Sequence, residues 1–108
     1  MRTIITNTPE IKVLLYDNGE IDGDTITVYH NNEVIAFKKG LSQNPITLTV
    51  KADAVNYSHE FVMTADNLGS IPPNTALMVI YTGGKRYELF LSADNNKNAK
   101  VVVDYQPN

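Results

Sequence analysis

The segment Ala76–Leu91, ALMVIYTGGKRYELFL, decides the fold class, because two alternating apolar runs flank a pair of glycines. Gly83 and Gly84 can both adopt positive φ without a steric penalty, which favours a two-residue hairpin turn. Such a turn sets the register of the two strands. We therefore expect three cross-strand pairs to point inward: Ile80 with Tyr87, Met78 with Leu89, and Ala76 with Leu91.

The other side of this hairpin is more apolar than a solvent-facing surface requires. The same register pairs Leu77 with Phe90, Val79 with Glu88, and Tyr81 with Arg86. This excess of apolar residues predicts an interaction face, formed by Leu77, Val79, Tyr81 and Phe90, on which a neighbouring domain or a second copy of the chain would dock.

The same alternation of apolar and polar residues recurs along the chain, between clusters of Asn, Asp, Gly and Pro. It predicts strands at 10–16, 24–30, 33–38, 45–51, 59–65, 75–82, 85–92 and 99–105, with a short one at 3–6. A chain of 108 residues with this rhythm favours one all-β domain. We expect a two-sheet antiparallel β-sandwich of about eight strands, Ig-like or jelly-roll-like, over residues 1–108, with 1–9 as a leading strand or linker.

A second turn is predicted at His30-Asn31-Asn32-Glu33, where both asparagines would take positive φ. Counting outward from the turn, we expect Val28 to pair with Ile35 and Ile26 with Phe37 on the core-facing side. On the outward-facing side, we expect Thr27 to pair with Ala36 and Tyr29 with Val34. His30 and His59 are expected to be exposed at strand ends, with no catalytic constellation around them.

Composition excludes several classes of function. A formal charge of −3 and nine scattered Lys and Arg residues provide no basic stripe for nucleic acid. The absence of cysteine excludes disulfides, thiol catalysis and Cys-ligated zinc. No apolar run approaches the ~20 residues of a membrane span, so no membrane insertion is expected. No pair of carboxylates faces a predicted cleft, so an enzyme is not expected.

The segment Asp17–Thr25, DNGEIDGDT, carries four of the twelve acidic residues of the chain. Asp24 is in phase with the core-facing positions of the following strand, so its carboxylate needs amide donors, a cationic partner or a metal ion. Asp17, Asp22 and Asp24 are candidate Ca²⁺ ligands, although their spacing is not that of an EF-hand. The alternatives are that the aspartates accept hydrogen bonds from loop amides, or that they form a direct ligand or partner site.

Two segments, DNGEIDGD and LGSIPPNTA, give the chain a family resemblance over roughly residues 10–103. In them it resembles a poorly characterised bacterial domain, a small β-sandwich at the C-terminal end of exported proteins and lipoproteins of Bacteroidetes-type bacteria. The resemblance implies a periplasmic, cell-surface or secreted location and a non-catalytic accessory role beside other domains. It implies no established ligand.

The DGD segment also resembles, more faintly, calcium-assisted secreted β-domains that accompany peptidases or carbohydrate enzymes. The alternative function is therefore a calcium-stabilised carbohydrate-binding module that holds polysaccharide through Tyr16, Tyr29 or Tyr81. The chain has no Trp for stacking on a sugar ring, which counts against this alternative.

Overall fold

A computed structural model describes residues 2–17, 25–40, 45–67, 74–93 and 98–107. The described residues form nine strands in two sheets. The strands are β1 Arg2–Thr6, β2 Glu10–Asp17, β3 Thr25–His30, β4 Glu33–Gly40, β5 Ile46–Lys51, β6 Ser58–Asn67, β7 Asn74–Thr82, β8 Lys85–Ala93 and β9 Ala99–Tyr105. The all-β prediction is confirmed, and every predicted strand is present. Within the described ranges no helix has the length and apolar character needed to cross a bilayer.

The two sheets enclose one core, as alternation along the strands predicts. One sheet has five strands in the order β1-β9-β6-β3-β4, and the other has four in the order β5-β2-β7-β8. Strand β5 shows the pattern directly, because Ile46, Leu48 and Val50 are partly buried while the residues between them are exposed. The largest fully buried side chains of the core cluster come from both sheets: Phe61, Ile11, Leu15, Ile26, Met63, Met78, Ile80, Val13, Val28, Val101 and Val103.

The β7–β8 hairpin has the predicted turn and register. Gly83 and Gly84 have φ of 62° and 72°. All the predicted pairs from Ala76–Leu91 to Tyr81–Arg86 are present. Met78, Ile80 and Leu89 are buried, and Tyr87 is partly buried against the core. The two-glycine turn therefore sets which side of this hairpin faces the core.

The β3–β4 hairpin has the predicted turn but a different register beyond it. Asn31 and Asn32 have φ of 50° and 70°, and Tyr29 lies opposite Val34 as expected. The predicted pairs Val28–Ile35, Thr27–Ala36 and Ile26–Phe37 are wrong, since Val28 lies opposite Ala36 and Ile26 opposite Lys39. Two register shifts cause the difference. A β-bulge adds a residue to one strand, and edge strands such as β4 are frequent sites for it.

The leading segment is a strand of the five-stranded sheet. β1 pairs in parallel with β9, with Ile4 opposite Val103, whereas the other strand pairs described are antiparallel. The predicted antiparallel sandwich therefore carries one parallel strand pair, at this edge. Parallel pairing is possible here because the two strands are not joined by a short turn. Ile4 is buried in the core, so β1 contributes to the sandwich.

Candidate functional site

The outer face of the four-stranded sheet carries side chains from three adjacent strands. β7 lies between β2 and β8, so the side chains of β7 that point away from the core have neighbours on both sides. Register places Tyr16 beside Leu77, and Leu14 beside Val79. We define the outer apolar face by the six apolar or aromatic residues at these outward positions: Leu14, Tyr16, Leu77, Val79, Tyr81 and Phe90.

The outer apolar face contains a covered centre and an accessible part. Val79 is only 1% exposed although it lies outside the core cluster. Leu77 is partly buried. Tyr81 is 43% exposed and Phe90 is 70% exposed. Of the four residues predicted to form the interaction face, Tyr81 and Phe90 therefore offer most of the surface that a partner could contact.

Tyr81 is held in place by charged neighbours on β8. Arg86 Nε donates a hydrogen bond to the Tyr81 hydroxyl at 3.0 Å, and its guanidinium carbon lies 5.8 Å from the centroid of the Tyr81 ring. Arg86 also forms a salt bridge with Glu88. The positive charge beside the ring is thus paired. An aromatic ring that is already oriented loses less side-chain entropy when it binds.

The candidate calcium ligands belong to a segment that the structure describes only at its borders. Asp22 and Asp24 lie outside the described residues, and nothing is described of the Asp17 side chain. Among the described residues, no group of three or more His, Asp or Glu side chains could hold a metal ion. The calcium hypothesis therefore stays a prediction.

The strand ends that flank the segments DNGEIDGD and LGSIPPNTA lie at one end of the sandwich. Asp17 at the end of β2 pairs with Ala76, and Thr25 at the start of β3 pairs with Asn67. The acidic segment and the proline-containing segment therefore leave and re-enter paired strands at the same end. Residues 18–24 and 68–73 themselves are outside the described ranges.

The two histidines lie together at the opposite end of the sandwich. The expectation that both are exposed is wrong, because His59 is only 3% exposed. It continues the core-facing row of β6 that contains Phe61 and Met63, and His30 lies opposite Phe61. The signal was present in the sequence, since His59 is two residues before Phe61 and therefore in phase with the buried side of that strand.

A chain of hydrogen bonds holds the histidines in one arrangement. Asp53 Oδ1 accepts from the amides of Val55 at 2.8 Å and Asn56 at 2.6 Å. The Asn56 carbonyl oxygen then lies 2.9 Å from His59 Nε2, and His59 Nδ1 lies 2.7 Å from His30 Nε2. The turn at residues 53–56 thus positions the carbonyl that orients His59, which in turn orients His30.

The two imidazole rings meet edge to edge in nearly one plane. Their interplanar angle is 2°, and their centroids are 5.0 Å apart. That separation is accounted for by the 2.7 Å nitrogen–nitrogen distance plus the distance from each nitrogen to its own ring centre. The hydrogen bond therefore lies along the ring plane, where the nitrogen lone pair points. Phe61 packs against His30 on another side, with 5.1 Å between ring centroids.

The surroundings of the histidine pair lower the pKa values of His30 and Asp53. Burial lowers the pKa of His30, the nearby His59 lowers it further, and Glu33 opposes the shift. The pKa of the Asp53 carboxyl is lowered, first by the backbone amide of Asn56 and then by that of Val55. A cavity of about 340 Å³ adjoins the pair and is lined by His30, Asn31, Glu33, Lys51, Asn56 and His59.

Comparison of the chain with protein-family models, with curated proteins and with solved structures gives no match. The family resemblance carried by DNGEIDGD and LGSIPPNTA therefore stays a prediction.

Proposed function

We propose that this chain is a non-catalytic interaction module, and that its outer apolar face binds the surface of another protein. The observation that carries the proposal is the exposure of Phe90, at 70%, on a sheet face that also presents Tyr81 at 43%. When a partner covers a mostly exposed phenylalanine, the burial makes the free energy of binding more favourable, by up to about 1.5–3 kcal/mol for full burial.

The residues around Phe90 are of the types that protein interfaces favour. Tyr, Phe and Arg are enriched in interfaces, and Tyr and Arg are frequent among the residues whose truncation weakens binding most. The outer apolar face presents Tyr81 and Phe90, and the oriented Arg86 adjoins them. Val79 is 1% exposed, so the contacts with a partner would come from Tyr81, Arg86 and Phe90 around it.

The setting proposed for this module is a protein exported from a bacterial cell, in which it accompanies other domains. The resemblance of DNGEIDGD and LGSIPPNTA to the accessory domain described above supports that setting. In such a protein, the first candidate for the partner is an adjacent domain of the parent chain, and the second is another copy of this chain.

The test compares the outer apolar face with equally exposed apolar residues elsewhere. Phe90→Ser and Tyr81→Ser would be matched by Val55→Ser and Tyr57→Ser, since Val55 is 83% exposed and Tyr57 is 56% exposed. Sedimentation velocity from about 10 μM to about 1 mM covers weak self-association. Isothermal titration calorimetry with the adjacent domain, supplied as a separate chain, measures binding to the other candidate partner.

The expected result is binding to at least one of the two partners that weakens about tenfold or more in Phe90→Ser, as for a residue worth about 1.4 kcal/mol, and is unchanged in the two controls. A chain that stays monomeric at the highest concentration and does not bind the adjacent domain would remove the proposal. Binding that is lost equally in Val55→Ser would place the interface elsewhere.

A second candidate function is carbohydrate binding, which one observation favours. Tyr16 and Tyr81 share the outer apolar face, while Tyr29 belongs to the other sheet. Affinity electrophoresis through gels that contain soluble polysaccharides, with Ca²⁺ or EDTA, tests it. Retardation that is lost in Tyr81→Ala and retained in Tyr57→Ala would support this function, and no retardation on any polysaccharide would end it.

A further inference from the structure

The histidine pair has hydrogen-bond roles that its surroundings dictate. A carbonyl oxygen can only accept, so His59 Nε2 must donate to Asn56. A neutral imidazole with a proton on Nε2 offers Nδ1 as an acceptor. His30 Nε2 therefore donates the proton in the 2.7 Å bond to His59 Nδ1. In the neutral pair both rings carry their proton on Nε2, and His30 can take up another on Nδ1.

This arrangement accommodates one added proton but not two. The first proton, on His30 Nδ1, leaves the bond to His59 intact and makes its donor charged, which strengthens such a bond. A second proton must go to His59 Nδ1, and two N–H donors would then face each other across 2.7 Å. Double protonation therefore breaks the contact.

The contact holds the tip of the β3–β4 hairpin against β6. Asn31, the first turn residue after His30, donates its amide to the Glu60 carbonyl at 3.0 Å and accepts from the Glu60 amide at 2.8 Å through its side chain. Its side-chain nitrogen also donates to the Ser58 carbonyl at 3.3 Å. Ser58 and Glu60 flank His59, so the ring contact and the Asn31 contacts act at the same place.

The charged groups around the pair favour one positive charge over two. Glu33 at the start of β4 and Asp53 in the turn before β6 attract a protonated ring. Lys51 at the end of β5 lines the same cavity and repels it. Glu60 is next to His59 in the chain, and its charge is paired with Lys100 at 3.5 Å. The second charge is opposed by the first one as well as by Lys51.

We propose that the His30–His59 pair is a pH-sensitive latch, which holds the tip of the β3–β4 hairpin on β6 at neutral pH and releases it when both rings are protonated. Release opens the cavity of about 340 Å³ that both histidines line. The latch is independent of the outer apolar face, which belongs to the other sheet.

The experiment follows both the rings and the backbone by NMR, from about pH 8 to about pH 5, the range in which histidine titrates. Imidazole ¹⁵N shifts report which nitrogen of each ring carries a proton, and the chain has only these two histidines. Amide hydrogen-exchange protection factors of Asn31 and Glu60 report the hairpin tip, and amides of β7 and β8 serve as the internal reference. All buffers contain EDTA.

Two variants keep a hydrogen bond between positions 30 and 59 but replace one of the two titrating rings by an amide that does not titrate. In His30→Gln the side-chain amide donates to His59 Nδ1, and it can rotate to offer oxygen when His59 is protonated. In His59→Gln the oxygen accepts from His30 while the nitrogen donates to Asn56. His30→Ala removes the bond at every pH. If the His59→Gln variant does not fold because position 59 is buried, the His30→Gln variant, at a more accessible position, is sufficient to test the proposal.

The latch predicts Nε2-protonated tautomers for both rings at pH 8. It also predicts that protection of Asn31 and Glu60 in the wild type falls about tenfold or more by pH 5, the factor that one unit of pKa difference produces. The fall is absent in His30→Gln, and protection is low throughout in His30→Ala. Constant wild-type protection while both rings titrate would overturn the proposal, and so would the same fall in His30→Gln.

Discussion

Thr6 of β1 and Thr82 of β7 share a buried hydrogen bond of 2.8 Å between their hydroxyl oxygens, which joins the edge of one sheet to the other sheet. Thr82 donates its proton to the Glu10 carbonyl at 2.9 Å. Because a hydroxyl has one proton, Thr6 must be the donor to Thr82. The Thr6 oxygen in turn accepts from the Thr8 amide at 3.2 Å.

Thr82→Val is therefore expected to destabilise the fold by about 1–3 kcal/mol, because it leaves the Glu10 carbonyl and the Thr6 hydroxyl without this partner. Urea unfolding measures the difference. Thr49→Val on the exposed side of β5 is the control and should stay within about 0.5 kcal/mol of wild type. Equal effects of the two substitutions would show that the Thr6–Thr82 bond does not stabilise the fold.

Gly83 and Gly84 give a matched pair of turn substitutions. Both have positive φ, so alanine at either position costs about 1–2 kcal/mol of backbone strain. A Cβ on Gly83 would also lie 3.3 Å from the hydroxyl oxygens of Thr6 and Thr8, while one on Gly84 would meet no atom within 4 Å among the described residues. We expect Gly83→Ala to lower the thermal midpoint more than Gly84→Ala. The reverse order would contradict the contact between this turn and the segment after β1.

Asn31 and Asn32 separate backbone strain from side-chain bonding. Both have positive φ, which glycine accepts more easily, but Asn31 also bonds Ser58 and Glu60 through its side chain. Asn32→Gly should therefore be neutral or slightly stabilising, while Asn31→Gly should lose about 1–2 kcal/mol. Thermal unfolding at pH 8 makes the comparison. A stabilising Asn31→Gly would show that these side-chain bonds add nothing.

Asp53 should make a pH-dependent contribution to stability. Its folded-state pKa is lowered below the ordinary value of 3.8, mainly by the amides of Asn56 and Val55. A carboxyl with a lowered folded-state pKa stabilises the fold above its unfolded-state pKa, and the contribution is lost as the pH falls through the folded-state pKa. Asp53→Ala should therefore lower the thermal midpoint at pH 7.

The difference between wild type and Asp53→Ala should shrink as the pH falls below about 3.8, the ordinary value for this group. Asp53→Asn keeps an oxygen acceptor but no charge, so its midpoint should lie between the two at pH 7. A gap between wild type and Asp53→Ala that is the same at pH 7 and in acid would show that the charge of Asp53 has no part in the turn.

Truncation of a buried and of an exposed phenylalanine should change stability by very different amounts. Phe61 is 1% exposed and Phe90 is 70% exposed. Phe61→Ala should cost about 3–5 kcal/mol, the range for a buried phenylalanine, and should also remove the ring that packs on His30. Phe90→Ala should change the free energy of unfolding by no more than about 0.5 kcal/mol. A large loss in Phe90→Ala would show that this ring stabilises the domain itself.

Local turn chemistry made much of the fold predictable from the sequence. Gly83 and Gly84 set the turn, and one-to-one pairing outward from it places every predicted partner on β7 and β8. The same reasoning failed on β3 and β4, because a bulge depends on how an edge strand twists and not on the residues of the turn alone.

The candidate sites were less predictable because they depend on neighbours distant in sequence. The outward position of Val79 follows from alternation, but its near-complete burial depends on strands and side chains that alternation along β7 does not reveal. His59 is in phase with Phe61, yet its contact with His30 exists only because β3 and β6 are adjacent in the sheet. Strand order of this kind is not encoded in any single local pattern.

The parallel pairing of β1 with β9 affects the order in which this domain can fold during its synthesis. Of the nine described strands β1 is synthesised first, yet the only strand it pairs with in the described residues, β9, is synthesised last. Contacts between distant parts of a chain slow folding, because the intervening segments must be ordered first. The five-stranded sheet can therefore be completed only once β9 has left the exit tunnel, and until then Ile4 lacks Val103, the residue that lies opposite it.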